Sequence, residues 1–153
     1  MCCDGTLFHS VILQRQDSAR TLTSLGFTLK RKKGVATFRQ PCTAHEAKGC
    51  KIYSDRPTRC RLFDCQQVLR VRRNEISEAE AKTTILKTRN KIRSVLEKVE
   101  RLVETNPQHG LAQRVATAVA NSPESVAKTD LVNSMSELEE ILERDFRVPE
   151  QSN

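Results

Sequence analysis

Tryptophan is absent from the 153 residues, tyrosine occurs once and phenylalanine five times. Side chains that could fill a core single-handed are therefore scarce. The same scarcity leaves the chain's cations without interleaved aromatics, unlike proteins that stack the bases of single strands. No stretch approaches the roughly 20 apolar residues that a membrane helix needs. The opening MCCDGTLFHSVIL lacks a basic n-region, and Asp4 and His9 interrupt its apolar run. It does not read as a secretory signal, so the expected location is the cytoplasm, where thiols are kept reduced. There is no G-x-G-x-x-G, no P-loop and no Ser/His/Asp arrangement, and hence no visible catalytic constellation.

What is present is unevenly distributed. Residues 1–75 carry 15 Lys/Arg against 6 Asp/Glu, a net of +9, whereas the remainder carries 11 against 13, a net of −2. All six cysteines, at positions 2, 3, 42, 50, 60 and 65, lie in that basic half. A half this small and this poor in apolar residues usually needs a disulfide, a metal or a partner to hold it. Clustered thiols in a reducing compartment favour metal over disulfide.

The stretch CKIYSDRPTRCRLFDC, residues 50–65, places three cysteines among Lys51, Arg56, Arg59 and Arg61. Nearby cations lower a thiol's pKa and make the thiolate a better ligand, and arginines can donate charge-assisted hydrogen bonds to sulfur. A second reading of the same charge is attraction to a polyanion. The full spacing, CC-x38-C-x7-C-x9-C-x4-C, contains no C-x2-C knuckle and matches neither the common zinc patterns nor the ferredoxin runs. His45, three positions after Cys42, could add a nitrogen ligand, although a lone loop histidine is more often solvated.

GCKIYSDRPTRCRLFDC resembles the C-x-I-Y-x-x-R-P-x-x-C-R-x-F-x-C core of the zinc- and iron-chelating family of the YkgJ type. CCDGTLF is similar to that family's opening motif, which usually reads C-x-x-C-C, and QPC at 40–42 to its middle cysteine. The resemblance covers residues 2–75. It implies a zinc ion or an iron–sulfur cluster held by Cys2, Cys3, Cys42, Cys50, Cys60 and Cys65. It also implies that Tyr53, Arg56, Pro57, Arg61 and Phe63 frame the site, with Tyr53 and Phe63 walling it from water and Pro57 turning Cys60 back toward Cys50. The expected function is metal chelation. The alternatives are a nucleic-acid-binding zinc module and an electron-transfer iron–sulfur protein.

The local patterns predict a short strand in TLFHSVIL and a short helix capped by Asp17 and stopped at Gly26. A hairpin is expected around Lys32-Lys33-Gly34, with Lys30 to Lys33 as a solvated basic tip. Residues 40–65 read as irregular, with Asp55 able to cap a helical turn at Pro57. From Ser77 the period changes. Ser77 and Glu80 form a capping box, and Ile85, Ile92, Val95 and Val99 mark the stripe of a helix over about 78–105, ended by Asn106-Pro107. Helices over 110–120 and from Ser122-Pro123 to about 145 follow, the latter with Leu138, Ile141 and Leu142 on one face. The predicted fold is mostly α, with a small irregular α+β metal-binding module at 1–75. A helical hairpin or bundle at 76–148 completes it, and that bundle could also pair with a second copy of the chain.

Overall fold

The computed structural model describes residues 1–47 and 49–148. The chain is mostly α-helical with a small α+β part at its amino-terminal end, as the sequence predicts. It divides into two compact units, Met1–Phe63 with Gln108–Gly110, and Asp64–Pro107 with the residues from Leu111 onward. The first unit is thus shorter than the 1–75 module expected from the cysteines, and Cys65 falls in the second.

In the first unit, β1 (Ser10–Ile12), β2 (Leu29–Lys32) and β3 (Val35–Arg39) form an antiparallel sheet in the order β1-β3-β2. Val11 and Leu29 both stand opposite Phe38, so these three share one face of the sheet. The β2–β3 turn has positive φ at both Lys33 (49°) and Gly34 (79°), the backbone twist that suits a two-residue hairpin. Between β1 and β2 lies α1 (Ala19–Ser24), which ends at Gly26 with φ 88°, the left-handed stop the sequence predicts. Val11, Leu13, Leu22, Phe27, Phe38, Ala44 and Ile52 form the apolar cluster, with Phe27 and Phe38 meeting edge to face at 4.9 Å.

The α1 cap differs from the prediction. Ser18 takes the position, its hydroxyl accepting from the Thr21 N–H at 3.1 Å. Asp17 is therefore released for a longer-range role. Its Oδ2 accepts from the Gln14 N–H (2.7 Å), and its Oδ1 accepts from the Thr58 N–H (2.8 Å) and hydroxyl (2.7 Å). Asp17 thus caps α2 (Thr58–Leu62) from 41 residues away. Asp55 lies in a short 3-10 turn, Tyr53–Asp55, and no side chain caps α2 from within that turn. Residues 40–65 are also less irregular than expected, because β4 (His45–Glu46) and β5 (Gly49–Cys50) pair within them.

The second unit holds α3 (Gln66–Arg72), α4 (Glu78–Leu102), α5 (Leu111–Asn121) and α6 (Val126–Asp145). The capping box of α4 forms as predicted, with the Glu80 N–H on the Ser77 hydroxyl and the Ser77 N–H on the Glu80 carboxylate. The buried line of α4 runs through Ala81, Thr88, Val95 and Val99, leaving Ile85 and Ile92 half-buried at its margin. It packs on α6 through Leu131, Ser134, Leu138 and Leu142, and Lys98 bridges the two helices by reaching both Asp130 (2.8 Å) and the Ser134 hydroxyl (2.6 Å). Val115 and Ala118 of α5 complete the packing. Among the described residues no helix is long and apolar enough to cross a membrane.

Two consequences can be measured by urea unfolding. Leu138 is fully buried, so Leu138→Ala should remove about 2–5 kcal/mol from the second unit. Burial alone would raise the Asp17 pKa, but the N–H groups of Gln14 and Thr58 and the Thr58 hydroxyl outweigh it, and the net shift is downward. Its contribution is full above the usual carboxylate value of about 3.9 and fades as pH falls through the lowered folded value. Asp17→Ala should cost about 1.5–3 kcal/mol at neutral pH and should remove that part of the acid sensitivity. An unchanged midpoint would show that the Asp17–Thr58 clasp carries no net stability.

Candidate metal centre

Four of the six cysteines are brought together by separate elements of the first unit. Cys3 lies in the opening turns, Cys42 directly follows the strand-bearing segment, Cys50 ends β5, and Cys60 lies in α2. The Cys42 N–H donates to the Cys3 carbonyl at 2.8 Å, which ties the chain start to the middle segment. Cys42, Cys50 and Cys60 are partly buried against the apolar cluster, and Cys3 is half-buried.

Their electrostatics record the convergence. Burial raises the Cys3 thiol, and the nearby Cys50 raises it further. Cys60 is pushed up to about 11, first by burial and then by Cys3, Cys42 and Cys50, against the lowering effect of Arg56. Cys42 is also raised, chiefly by burial, but its sulfur accepts hydrogen bonds from the backbone N–H groups of Ala44 and His45. Those two donors come from the tight turn closed by the His45 N–H on the Cys42 carbonyl at 2.9 Å. N–H groups aimed at sulfur favour the thiolate over the thiol. The same turn delivers the chain into β4, where His45 stands opposite Cys50.

Cys2 is exposed, and Cys65 is the half-buried N-cap residue of α3 in the second unit. His45, considered as a nitrogen ligand, is exposed, and its backbone N–H is the group that reaches the Cys42 sulfur. Tyr53 does not wall the thiols from water. It is 66% exposed, and its ring lies 3.7 Å beneath the Arg56 guanidinium. Phe63 is half-buried edge to face against Phe8 at 4.9 Å. Pro57 is buried and starts α2, which carries Cys60. Arg56 is the arginine that acts on Cys3 and Cys60, held in place by its Nε donating to the Tyr53 carbonyl at 3.0 Å. Arg61 instead turns toward Thr58.

Cys3, Cys42 and Cys60 are each raised in part by neighbouring thiols, so a thiolate at one disfavours ionisation at the next. As they stand, no group of three or more His, Cys, Asp or Glu side chains among the described residues could hold a metal ion. The thiols are therefore gathered, but not drawn into a ligand shell. The donor set still fits a thiophilic metal, since soft thiolates select zinc and iron–sulfur clusters. Sequence reasoning found the cysteines and missed the Ala44 and His45 donors. Backbone N–H groups leave no residue-type signal.

Comparison with known proteins finds no protein family, no curated protein and no solved structure that matches the chain.

The raised thiol predicts slow chemistry in metal-stripped protein. At pH 8 the thiolate fraction of Cys60 should be roughly 200-fold below that of an ordinary thiol of pKa near 8.5, and iodoacetamide should alkylate it correspondingly slowly. Mass spectrometry of the peptides resolves the rate. An ordinary rate at Cys60 would contradict the burial and crowding described for it.

Proposed function

We propose that residues 1–63 form a metal-chelating module that binds a zinc ion or an iron–sulfur cluster through Cys3, Cys42, Cys50 and Cys60. The observation that carries this reading is the gathering of four thiols from four separate segments, one of them already receiving two backbone N–H groups. A bound cation would supply the positive charge that lets the four ionise together. The protein's own share is to bury the sulfurs against a thin apolar cluster, to aim the Ala44 and His45 N–H groups at Cys42, and to hold Arg56 beside Cys3 and Cys60. At the Zn–S length of about 2.3 Å a single zinc ion would need its four sulfurs within about 3.8 Å of one another, a closer set than the described residues hold as they stand. The resemblance to the YkgJ-type chelating family supports the same reading. The reading belongs with a reducing compartment such as the cytoplasm.

The test is metal and acid-labile sulfide content in anaerobically purified protein. Cys42→Ser and Cys60→Ser should each lose the metal, and the apolar cluster should loosen with it, because metal binding and folding are one equilibrium in small modules. Full metal content in both Cys42→Ser and Cys60→Ser would remove the proposal's basis.

A further inference from the structure

The first unit has more cations than its thiols can use. Residues 1–63 and 108–110 hold 12 Lys/Arg against 4 Asp/Glu, a net of +8. A four-thiolate zinc site carries a net charge of about −2, which leaves most of the excess unanswered. Three of the four acids are engaged elsewhere. Asp4 binds the amino terminus at 3.0 Å, Asp17 holds Gln14 and Thr58, and Glu46 faces Lys51 at 4.0 Å.

Four of the twelve cations, half the net surplus, lie on one surface. Phe38, Val11 and Leu29 mark the core face of the sheet, and strand side chains alternate. Lys30, Lys32 and Arg39 therefore share the opposite, solvent face with Ser10 and Thr37, and exposed Lys33 sits at the adjoining turn. Among the described residues none of these four cations has an ion-pair partner, and all four are exposed. The two-residue turn and the register to β1 hold them at fixed spacing, with Lys30 and Lys32 about 6.8 Å apart along the strand.

We propose that this face of the β1-β3-β2 sheet docks on the phosphate backbone of duplex nucleic acid through Lys30, Lys32, Lys33 and Arg39. Charge complementarity argues for the occupant. Cations and hydroxyls are the groups that contact phosphates and sugars without reading sequence. An acidic protein partner is less well matched, because protein interfaces centre on buried aromatic or aliphatic anchors. This face offers only Ile12 and Val35, at 40% and 44% exposure, and no aromatic. That lack of stacking groups also directs the proposal to a duplex rather than to unpaired bases. The surface contains no thiol, so the proposal does not rest on metal chelation.

The test is fluorescence anisotropy of a fluorescein-labelled 20-base-pair duplex of mixed sequence with the full, as-purified chain. Contacts to about four phosphates give a log K against log salt slope of about −3.6, roughly a 150-fold loss of affinity from 50 to 200 mM salt. The Lys30→Gln/Lys32→Gln double variant should flatten that slope by about 2. A Lys87→Gln/Arg89→Gln pair on α4 should leave it unchanged. Metal content of every variant, measured on the same samples, should equal that of the parent, which separates this outcome from failure of the chelating module. No binding at 50 mM salt would overturn the proposal, and so would equal losses from the α4 pair. Labelled poly-glutamate binding as tightly as the duplex would assign the face to an acidic protein instead.

Discussion

Like-charge crowding at sulfur is the constraint on which the amino-terminal unit depends. Cys42, Cys50 and Cys60 are half-buried on the margin of a cluster of seven buried apolar residues, and Cys3 is half-buried near them. Such a cluster is thin for a unit of this size, and small modules with thin cores are usually completed by something other than hydrophobic burial. As thiols the four cysteines merely border the cluster. As thiolates they repel one another unless a cation sits among them. The local structure is arranged around this choice. The turn after Cys42 supplies N–H groups, β4 and β5 place Cys50 beside it, and α2 raises Cys60 under the lead of Pro57. The remote cap from Asp17 to Thr58 then locks α2 to the loop ahead of α1, so the position of Cys60 rests on a carboxylate 41 residues from the helix it caps.

The second unit answers to different physics. It is held by helix packing along the Leu131, Leu138 and Leu142 line, by the α4 capping box and by Lys98, whose ammonium serves Asp130 and Ser134 together. Gln66 and Gln67 fasten α3 to the end of α6 through the Phe146 and Asp145 carbonyls. Its charge is close to balanced, whereas the first unit retains a basic sheet face after its thiols are accounted for.

Much of the fold was legible because helices announce themselves at their ends and along their period. Ser77 and Glu80 started α4 correctly, and the left-handed stop at Gly26 followed from residue type alone. The α4 stripe was read slightly off its true centre. Its buried line uses Ala81 and Thr88, residues that hydropathy ranks below the neighbouring isoleucines, and close helix approach favours small side chains. Asp17 and Ser18 are both good caps, so local propensity could not decide between them, and the tertiary contact to Thr58 did. The two-residue strands β4 and β5 and the basic helix α3 lacked enough periodicity to be seen. For the site, residue type gave the cysteines, and the fold supplied what sequence spacing could not: which four share a neighbourhood in the first unit, and which backbone groups serve them. Tyr53 was expected at a wall and instead lies exposed under Arg56, because its aromatic face is engaged by a cation rather than by the core.

X-ray absorption at the metal edge of the intact protein, purified without oxygen, tests the central claim most directly, since it counts the sulfur neighbours of whatever metal the chain carries. Four sulfurs at about 2.3 Å for zinc, or an all-sulfur shell with neighbouring iron atoms for a cluster, is what the gathered thiols predict. A shell of nitrogen and oxygen only, or protein with no bound metal at all, would contradict the account and leave the four cysteines as an ordinary margin of the core.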